Sequence, residues 1–407
     1  MTMNKSTGIL VVMLAVTALV SVSTASEEVA YKFSGGKDGY YPWAGMTADA
    51  SGNVYGVTVY GGAHGAGAVF RVTPKSGGGW KEKVLHSFQG VGKEGYYPYG
   101  VPLVDAAGNI YGTTYSGGAH GYGIVYQLQP SGSGKYSRKV VHSFSNNGKD
   151  GLNPYAGVSM DAAGNLYGTT SRGGAFGYGA AYQIAPKVGG GWTYTVLHSF
   201  NNDGTDGYYP YSGLISDGSG NLYGTNYVGC KNGLGCVYQL SQSGGKWSEK
   251  ILHNFANDGT DGYYPYGGLI FDGNGNLLGT AFYGGAHSGG VVFQLKPKGK
   301  NWTEKILYSF NPANKDGSGP YLETLVLDAA GDIFGTTYVG GLYGYGTVFE
   351  LTPHNNGYKE KLLHSFNNDG TDGDYPYAGV TLDSAGNILG TTPGGGAGYG
   401  VVYAISQ

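Results

Sequence analysis

Apolar residues along this chain arrive in short runs that alternate with polar positions and stop at glycine. Near the middle, Gly213-Leu214-Ile215-Ser216-Asp217 is one run, Leu222-Tyr223-Gly224-Thr225 a second and Cys236-Val237-Tyr238-Gln239-Leu240 a third. Trp247-Ser248-Glu249-Lys250-Ile251-Leu252-His253-Asn254-Phe255 is the fourth. Runs this short, bounded by turn residues, predict β-strands. Asp217-Gly218-Ser219-Gly220-Asn221 separates the first two. Its aspartate can accept bonds from amides two residues on and its glycine can take positive φ, so it predicts a hairpin. Gly224 sits inside a strand, where glycine marks a bulge or a close backbone approach.

The pattern then returns along the whole chain. The tract Asp206-Gly207-Tyr208-Tyr209-Pro210-Tyr211 has counterparts starting at Asp38, Glu94, Asp150, Asp261, Asp316 and Asp372, spaced by 56, 56, 56, 55, 55 and 56 residues. The in-strand glycine recurs at 56, 112, 168, 224, 279, 335 and 390. Four short antiparallel strands per unit of ~50 residues is the signature of a propeller blade. The chain ends discriminate against a solenoid. The seventh unit, Gly379 to Gln407, carries strands one to three, and Ser26 to Phe33 matches a fourth. A ring pairs the two and leaves no open edge, whereas a solenoid wants capping repeats. The expected fold is an all-β, seven-bladed β-propeller over residues 26–407, with four antiparallel strands per blade and the last blade closed by the N-terminal strand.

Composition narrows the function. Glycine supplies 80 of 407 residues, about three times the usual ~7 % share, which fits ordered, turn-rich structure. Charged residues are 13 % and the net charge is −3, so the chain has no electrostatic footprint for nucleic acid. Residues 1–25 combine Lys5, an apolar run from Gly8 to Val22 and a small-residue site ending at Ala25. They read as a secretory signal peptide, and export to the periplasm or the outside follows. No later apolar segment reaches the ~20 residues of a membrane span, and a monomer is expected.

The pattern DGxxPYxGLxxDxxGNLYGTTxxGGxxGxGxVYxL, followed by a strand ending in HSF, resembles the GloVer tandem-repeat family of exported bacterial proteins. The resemblance covers nearly the whole chain after residue 25. It implies a repeat propeller and brings no established activity. Many such proteins carry a C-terminal surface anchor, from which this chain departs by ending on a third strand. The DxxGNLYG hairpin also resembles NHL and lactonase-type propellers over a shorter stretch.

Alternating strand direction puts the fourth-to-first and second-to-third loops on one face. That face gathers Tyr40, Tyr41, Tyr96, Tyr97, Tyr208, Tyr209, Tyr263, Tyr264 and Tyr375, with His64, His120 and His287 from the glycine-rich loops. Tyrosine offers a flat apolar ring with a polar tip, so these are the candidate ligand-binding residues for a polysaccharide or a protein surface. The third aromatic of each tract (Trp43, Tyr99, Tyr155, Tyr211, Tyr266, Tyr321, Tyr377) never varies beyond Tyr or Trp and is expected to pack between blades. His86, His142, His198, His253 and His364 share a strand slot with Tyr31 and Tyr308 and are expected to be structural. The tracts Asp203 to Asp206, Asp258 to Asp261 and Asp369 to Asp372 are candidate Ca²⁺ ligands. No other cofactor or metal is implied. Cys230 and Cys236 flank one loop of an exported chain and are expected to form a disulfide.

No catalytic residue is assigned. An enzyme gathers unlike groups at one place, and equivalent blades supply the same residue seven times. The expected function is non-enzymatic binding or surface interaction. The alternatives are a propeller hydrolase or lyase, of lactonase, lyase or glycosidase type, and a structural envelope protein.

Overall fold

The computed structural model describes residues 26–406 apart from 323 and 356. Seven four-stranded antiparallel sheets form the blades of a propeller. In the fourth blade the strands are Ile215–Ser216, Leu222–Asn226, Cys236–Ser243 and Lys246–Asn254, paired in that order. The outer strands run slightly beyond the apolar runs, and the innermost is shorter than its run. At the axis of the second and third blades, backbone meets backbone. A Cβ on Gly100 would sit 2.3 Å from Gly157 N, and one on Gly157 would sit 2.2 Å from Val101 O.

The core lies between blades. Every residue of the second strand is buried in all seven. Its glycine accommodates the third-strand aromatic: a Cβ at Gly112 would meet Tyr126 Oη at 2.3 Å. That same aromatic takes the phenylalanine ending the previous blade's fourth strand edge-on, as in Phe88–Tyr126, Phe200–Tyr238 and Phe366–Tyr403. The threonine after the glycine donates into the next blade: Thr113 Oγ1 to Ala156 O at 2.8 Å and Thr225 Oγ1 to Gly267 O at 3.0 Å. Glycine, threonine and the HSF phenylalanine thus recur because each is one part of a repeated blade junction.

The ring closes as expected. Ser26–Lys32 pairs antiparallel with Val401–Ser406, Glu27 opposite Ile405 and Lys32 opposite Val401. Phe33 stacks edge-on against Phe70, and Thr391 Oγ1 donates to Ala44 O across the same junction. The hairpins also behave as read. Asp217 Oδ1 accepts from Ser219 N and Asn221 N, and Oδ2 from Asn221 Nδ2 and Tyr223 Oη.

Cys230 and Cys236 are bonded. Cys230 holds φ 58° at a position that is glycine in the other six blades. A Cβ on Gly285 would lie 2.6 Å from Val291 Cγ1, and one on Gly341 would lie 2.7 Å from Thr347 Cγ2. The two positions therefore face each other in sister blades too, and here the contact is covalent. The expected signal peptide, 1–25, lies outside the described residues. Among the described residues, no helix is long and apolar enough to cross a membrane.

Candidate functional site

The two expected sets of loops meet on one face. Tyr97 N donates to Ala66 O, Tyr209 N to Tyr178 O and Tyr264 N to Leu234 O, each into the previous blade's glycine loop. Tyr41 N to Tyr399 O makes the same bond across the closing junction.

The third aromatics form a closed circuit around the channel. Ring centroids run Trp43–Tyr99 5.9 Å, Tyr99–Tyr155 4.9 Å, Tyr155–Tyr211 5.3 Å and Tyr211–Tyr266 5.8 Å. Tyr266–Tyr321 at 4.5 Å, Tyr321–Tyr377 at 5.4 Å and Tyr377–Trp43 at 4.0 Å complete it. The circuit borders an apolar cavity of about 210 Å³ whose wall includes Ala44, Val101, Leu103 and Leu214. Burial pushes the phenols of Tyr99, Tyr155, Tyr266 and Tyr377 up, so the circuit is uncharged at neutral pH.

A second tier stacks on this circuit. Tyr115, Tyr227, Phe282 and Tyr338 follow the second strands of their blades, with Tyr227 4.2 Å from Tyr266 and Tyr338 4.9 Å from Tyr377. The tier also lacks an aromatic at Val59, and it opens at the equivalent residues Ser171 and Pro393. A well of about 400 Å³ opens at the first, lined by Tyr99, Tyr115, Tyr155, Ser171, Arg172, Tyr209 and Tyr211. Another of about 340 Å³ opens at the second, between Tyr41, Tyr375, Tyr377, Asn368 and Asp374. Sequence reasoning missed both wells. Their signal was present as a small residue and a proline where four sister blades carry aromatics.

The second tract residue is left-handed in every blade. Its φ is 61° at Tyr41, 60° at Tyr97, 56° at Asn153, 55° at Tyr209, 60° at Tyr264, 66° at Gly319 and 52° at Tyr375. The geometry serves the blade junction. Its N–H reaches the previous blade and its carbonyl accepts from the tier residue, as in Tyr115 N to Tyr97 O and Tyr338 N to Gly319 O. Asn153 and Gly319 are thus the residue types that this conformation favours. Five tyrosines hold it instead, at roughly 1 kcal/mol or more each. Their rings are half-buried, or exposed in the case of Tyr41, and lean on the neighbouring blade, as in Tyr97–Tyr60 at 5.2 Å and Tyr375–Tyr338 at 5.3 Å.

The first-position tyrosines are more committed to packing. Tyr96 pairs with Ser116 in a two-residue ladder, Tyr40 stacks on Tyr60 and Tyr263 on Tyr283, and Tyr208 lies 5.2 Å from Tyr178. His64, His120 and His287 are exposed and line neither the channel cavity nor the two wells. Asp374 was missed. It replaces the first tyrosine of its tract, is 6 % exposed, lines the second well, and its buried Oδ1 has no hydrogen-bond partner. Burial, with Asp372 nearby, raises its pKa.

On the rim, the strand slot has one job in all seven blades. Tyr31, His86, His142, His198, His253, Tyr308 and His364 hold the tract acids Asp38, Glu94, Asp150, Asp206, Asp261, Asp316 and Asp372 at 2.7 to 3.1 Å. A β-bulge one residue before the slot aims it, since Val237 pairs with His253 and Tyr238 with Ile251, leaving Leu252 extra. Histidine and tyrosine interchange because each can donate one bond. In the candidate calcium tracts, Asp203 Oδ1 accepts from Thr205 N and Asp206 N, while Asp206 turns to His198. The turn bonds lower Asp203 to about 2. Asp258 and Asp369 repeat the turn, so the structure spends each tract's two carboxylates on different partners.

A family model described as the Gloeobacter/Verrucomicrobia repeat matches residues 17–233 and 215–407. No curated protein matches the sequence. Among solved structures, a putative 6-phosphogluconolactonase from Bacteroides uniformis aligns with a TM-score of 0.51 at 10 % identity, covering 79 % of this chain and 84 % of that one. An ancestral GH74 enzyme gives 0.57 at 13 %, covering 90 % of this chain, which spans about half (48 %) of that one. A PL25 ulvan lyase bound to -[GlcA(1-4)Rha3S]- gives 0.52 at 11 %, covering 90 % and 94 %. At these identities the likeness is one of fold.

Proposed function

We propose that this chain, which belongs to the Gloeobacter/Verrucomicrobia repeat family, is an exported binding module that holds a neutral polysaccharide on the tyrosine face of its propeller. The observation that carries this is backbone strain. Five of seven blades place tyrosine at a left-handed position for which asparagine and glycine serve in the other two. Strain kept at an exposed or half-buried ring, where a strain-free residue is at hand, is a mark of function. The interrupted second tier adds two aromatic-walled wells. Sugar rings stack on such walls through their C–H faces, and the weak net charge gives no pull on a polyanion. Export rests on the leader read in residues 1–25 and on the disulfide.

The test is calorimetric titration with a panel of soluble neutral polysaccharides. Tyr209→Gly with Tyr264→Gly should weaken binding at least tenfold while melting stays level or rises. Unchanged affinity in that variant removes the reading.

An enzymatic reading has one specific observation in its favour, Asp374. A buried, unpaired carboxyl in an aromatic well is how a general acid is prepared. Glycoside hydrolysis uses two carboxylates, and among the described residues Asp374 is the only carboxylate lining that well and no histidine lines it. Asp374→Asn separates the two readings. It should leave polysaccharide affinity within twofold, whereas loss of product release from any of the same polysaccharides would favour the enzyme.

A further inference from the structure

Away from the tyrosine face, each rim junction has a third member, contributed by the fourth strand of the following blade. Beside His86 and Glu94 it is Arg138. Beside His142 and Asp150 it is Tyr194, stacked on the imidazole at 3.9 Å. Glu82 stands near Asp38, and Glu360 near Asp316, where the slot is tyrosine. At the other three junctions the third member is a glutamate and the slot is histidine. These are His198, Asp206 and Glu249; His253, Asp261 and Glu304; and Glu27, His364 and Asp372.

Two independent observations point to a cation at these three. The first is the sister junction. Arg138 Nε lies 2.9 Å from Glu94 Oε1, so a positive group built into the chain takes this place one blade away. The second is a set of orphaned oxygens. Asp206 Oδ1, Glu249 Oε1, Asp261 Oδ1, Glu304 Oε1 and Glu27 Oε1 are buried without a hydrogen-bond partner. Asp261 is 6 % and Asp206 8 % exposed. Glu304 Oε1 lies 3.3 Å from the His253 ring nitrogen. Two carboxylates sharing a buried place with one imidazole between them carry more negative charge than that ring can offset, which is costly unless a cation or a proton joins them.

We propose that His198/Asp206/Glu249, His253/Asp261/Glu304 and His364/Asp372/Glu27 each bind one divalent first-row transition-metal ion, zinc or manganese in character. In each set one ring nitrogen and two carboxylate oxygens lie within 4.8 Å of one another. Ca²⁺ takes oxygen donors alone, whereas one imidazole with two carboxylates suits a borderline ion. Binding replaces the His–Asp hydrogen bond. The imidazole gives up its Nε2 proton to solvent, takes the tautomer protonated on Nδ1 and binds through Nε2, and any proton shared by the carboxyls also leaves to solvent. The third site opens directly into a surface cavity of about 550 Å³ lined by Glu27, Lys32, Tyr343, His364 and Asp372. Its glutamate lies on the ring-closing strand, so an ion there ties that strand to the preceding blade junction.

The experiment uses the full chain, stripped with EDTA and titrated with ZnCl₂ or MnCl₂ alone at pH 7.5 in a non-chelating buffer. Three equivalents should bind and melting should rise. Glu249→Gln and Glu304→Gln should each lose one equivalent. His253→Tyr, which recreates the sister junctions of Tyr31 and Tyr308, should lose one while keeping the fold. Cobalt(II) should give a ligand-field spectrum that Glu304→Gln diminishes. Replacing the exposed His64, His120 and His287 by Ala should leave all three equivalents. Uptake that is absent, or equal in the wild type and the glutamine variants, overturns the proposal and leaves a shared proton as the joining group. Uptake that disappears with the three surface histidines also overturns it.

Discussion

Seven aromatics circle the channel and seven anchored acids circle the rim, and both recur with the period of the chain, but they vary in different ways. The inner circuit admits only tyrosine and one tryptophan, because each ring touches two neighbours and the circuit has to close on itself. The rim keeps its slot–acid bond in every blade yet changes the third member from arginine to tyrosine to glutamate. Uniformity therefore marks closure. Variation marks places where blades were free to differ once the junction was secured. The second tract position qualifies this lesson. Its changes to Asn153 and Gly319 answer to a left-handed backbone, so its variation alone says little, and the persistence of tyrosine there says more.

Removing residues 26–33 tests both circles at once and should have the largest effect. It takes away the fourth strand of the last blade and Phe33, and it exposes the edge of Val401–Ser406. Loss of cooperative melting or aggregation during expression is expected; a monomer that melts like the parent would break the closed-ring account. Trp43→Ala opens the inner circuit alone and should cost ~3 kcal/mol, as large-to-small aromatic changes in packed sites do. Chemical denaturation measures it. A cost below ~1 kcal/mol would show the circuit to be ornamental.

Replacing both cysteines, as Cys230→Gly with Cys236→Val, returns that loop to the residue types of its sisters. It should lose ~2 kcal/mol, the contribution of a short disulfide loop, read as a shift in denaturant midpoint. At the rim, His86→Ala leaves Glu94 one partner short and should cost ~1 kcal/mol. His86→Tyr should cost less, because tyrosine fills the slot in two sister blades. Equal losses for the two variants would refute the shared-donor explanation of that slot.

The smallest effect is a pH dependence. Burial and the neighbouring Asp38 push Glu82 up to about 7, and burial with Asp316 pushes Glu360 to about 7. Tyr31 and Tyr308 complete these two junctions and stay neutral. A carboxyl with a raised folded pKa binds more protons folded than unfolded, so stability falls as pH rises from its unfolded value toward about 7. Melting measured between pH 5 and pH 8 should decline less steeply in Glu82→Gln with Glu360→Gln than in the parent. Parallel slopes would mean that these carboxyls are ionised throughout.

The repeat made the blades countable before any coordinates, and hairpin aspartates, in-strand glycines and the paired cysteines were legible because each is a local requirement written at one position. Ring closure was legible too, since a missing strand at one end matched a spare one at the other. The loop histidines show the limit. Their place beside the tyrosines in the loop sequence suggested a common site, and it did not show that they are exposed and line neither well. What the sequence determined by itself is the unit, its count and its turns, because these depend on residues near one another along the chain. Only the tertiary structure decided which residues of different blades meet. The aromatic circuit, the left-handed tyrosines, Asp374 in its well and the glutamates facing the rim histidines all arise from contacts across some fifty residues of chain. Blade twist and closure set such contacts, and a one-dimensional pattern does not carry them.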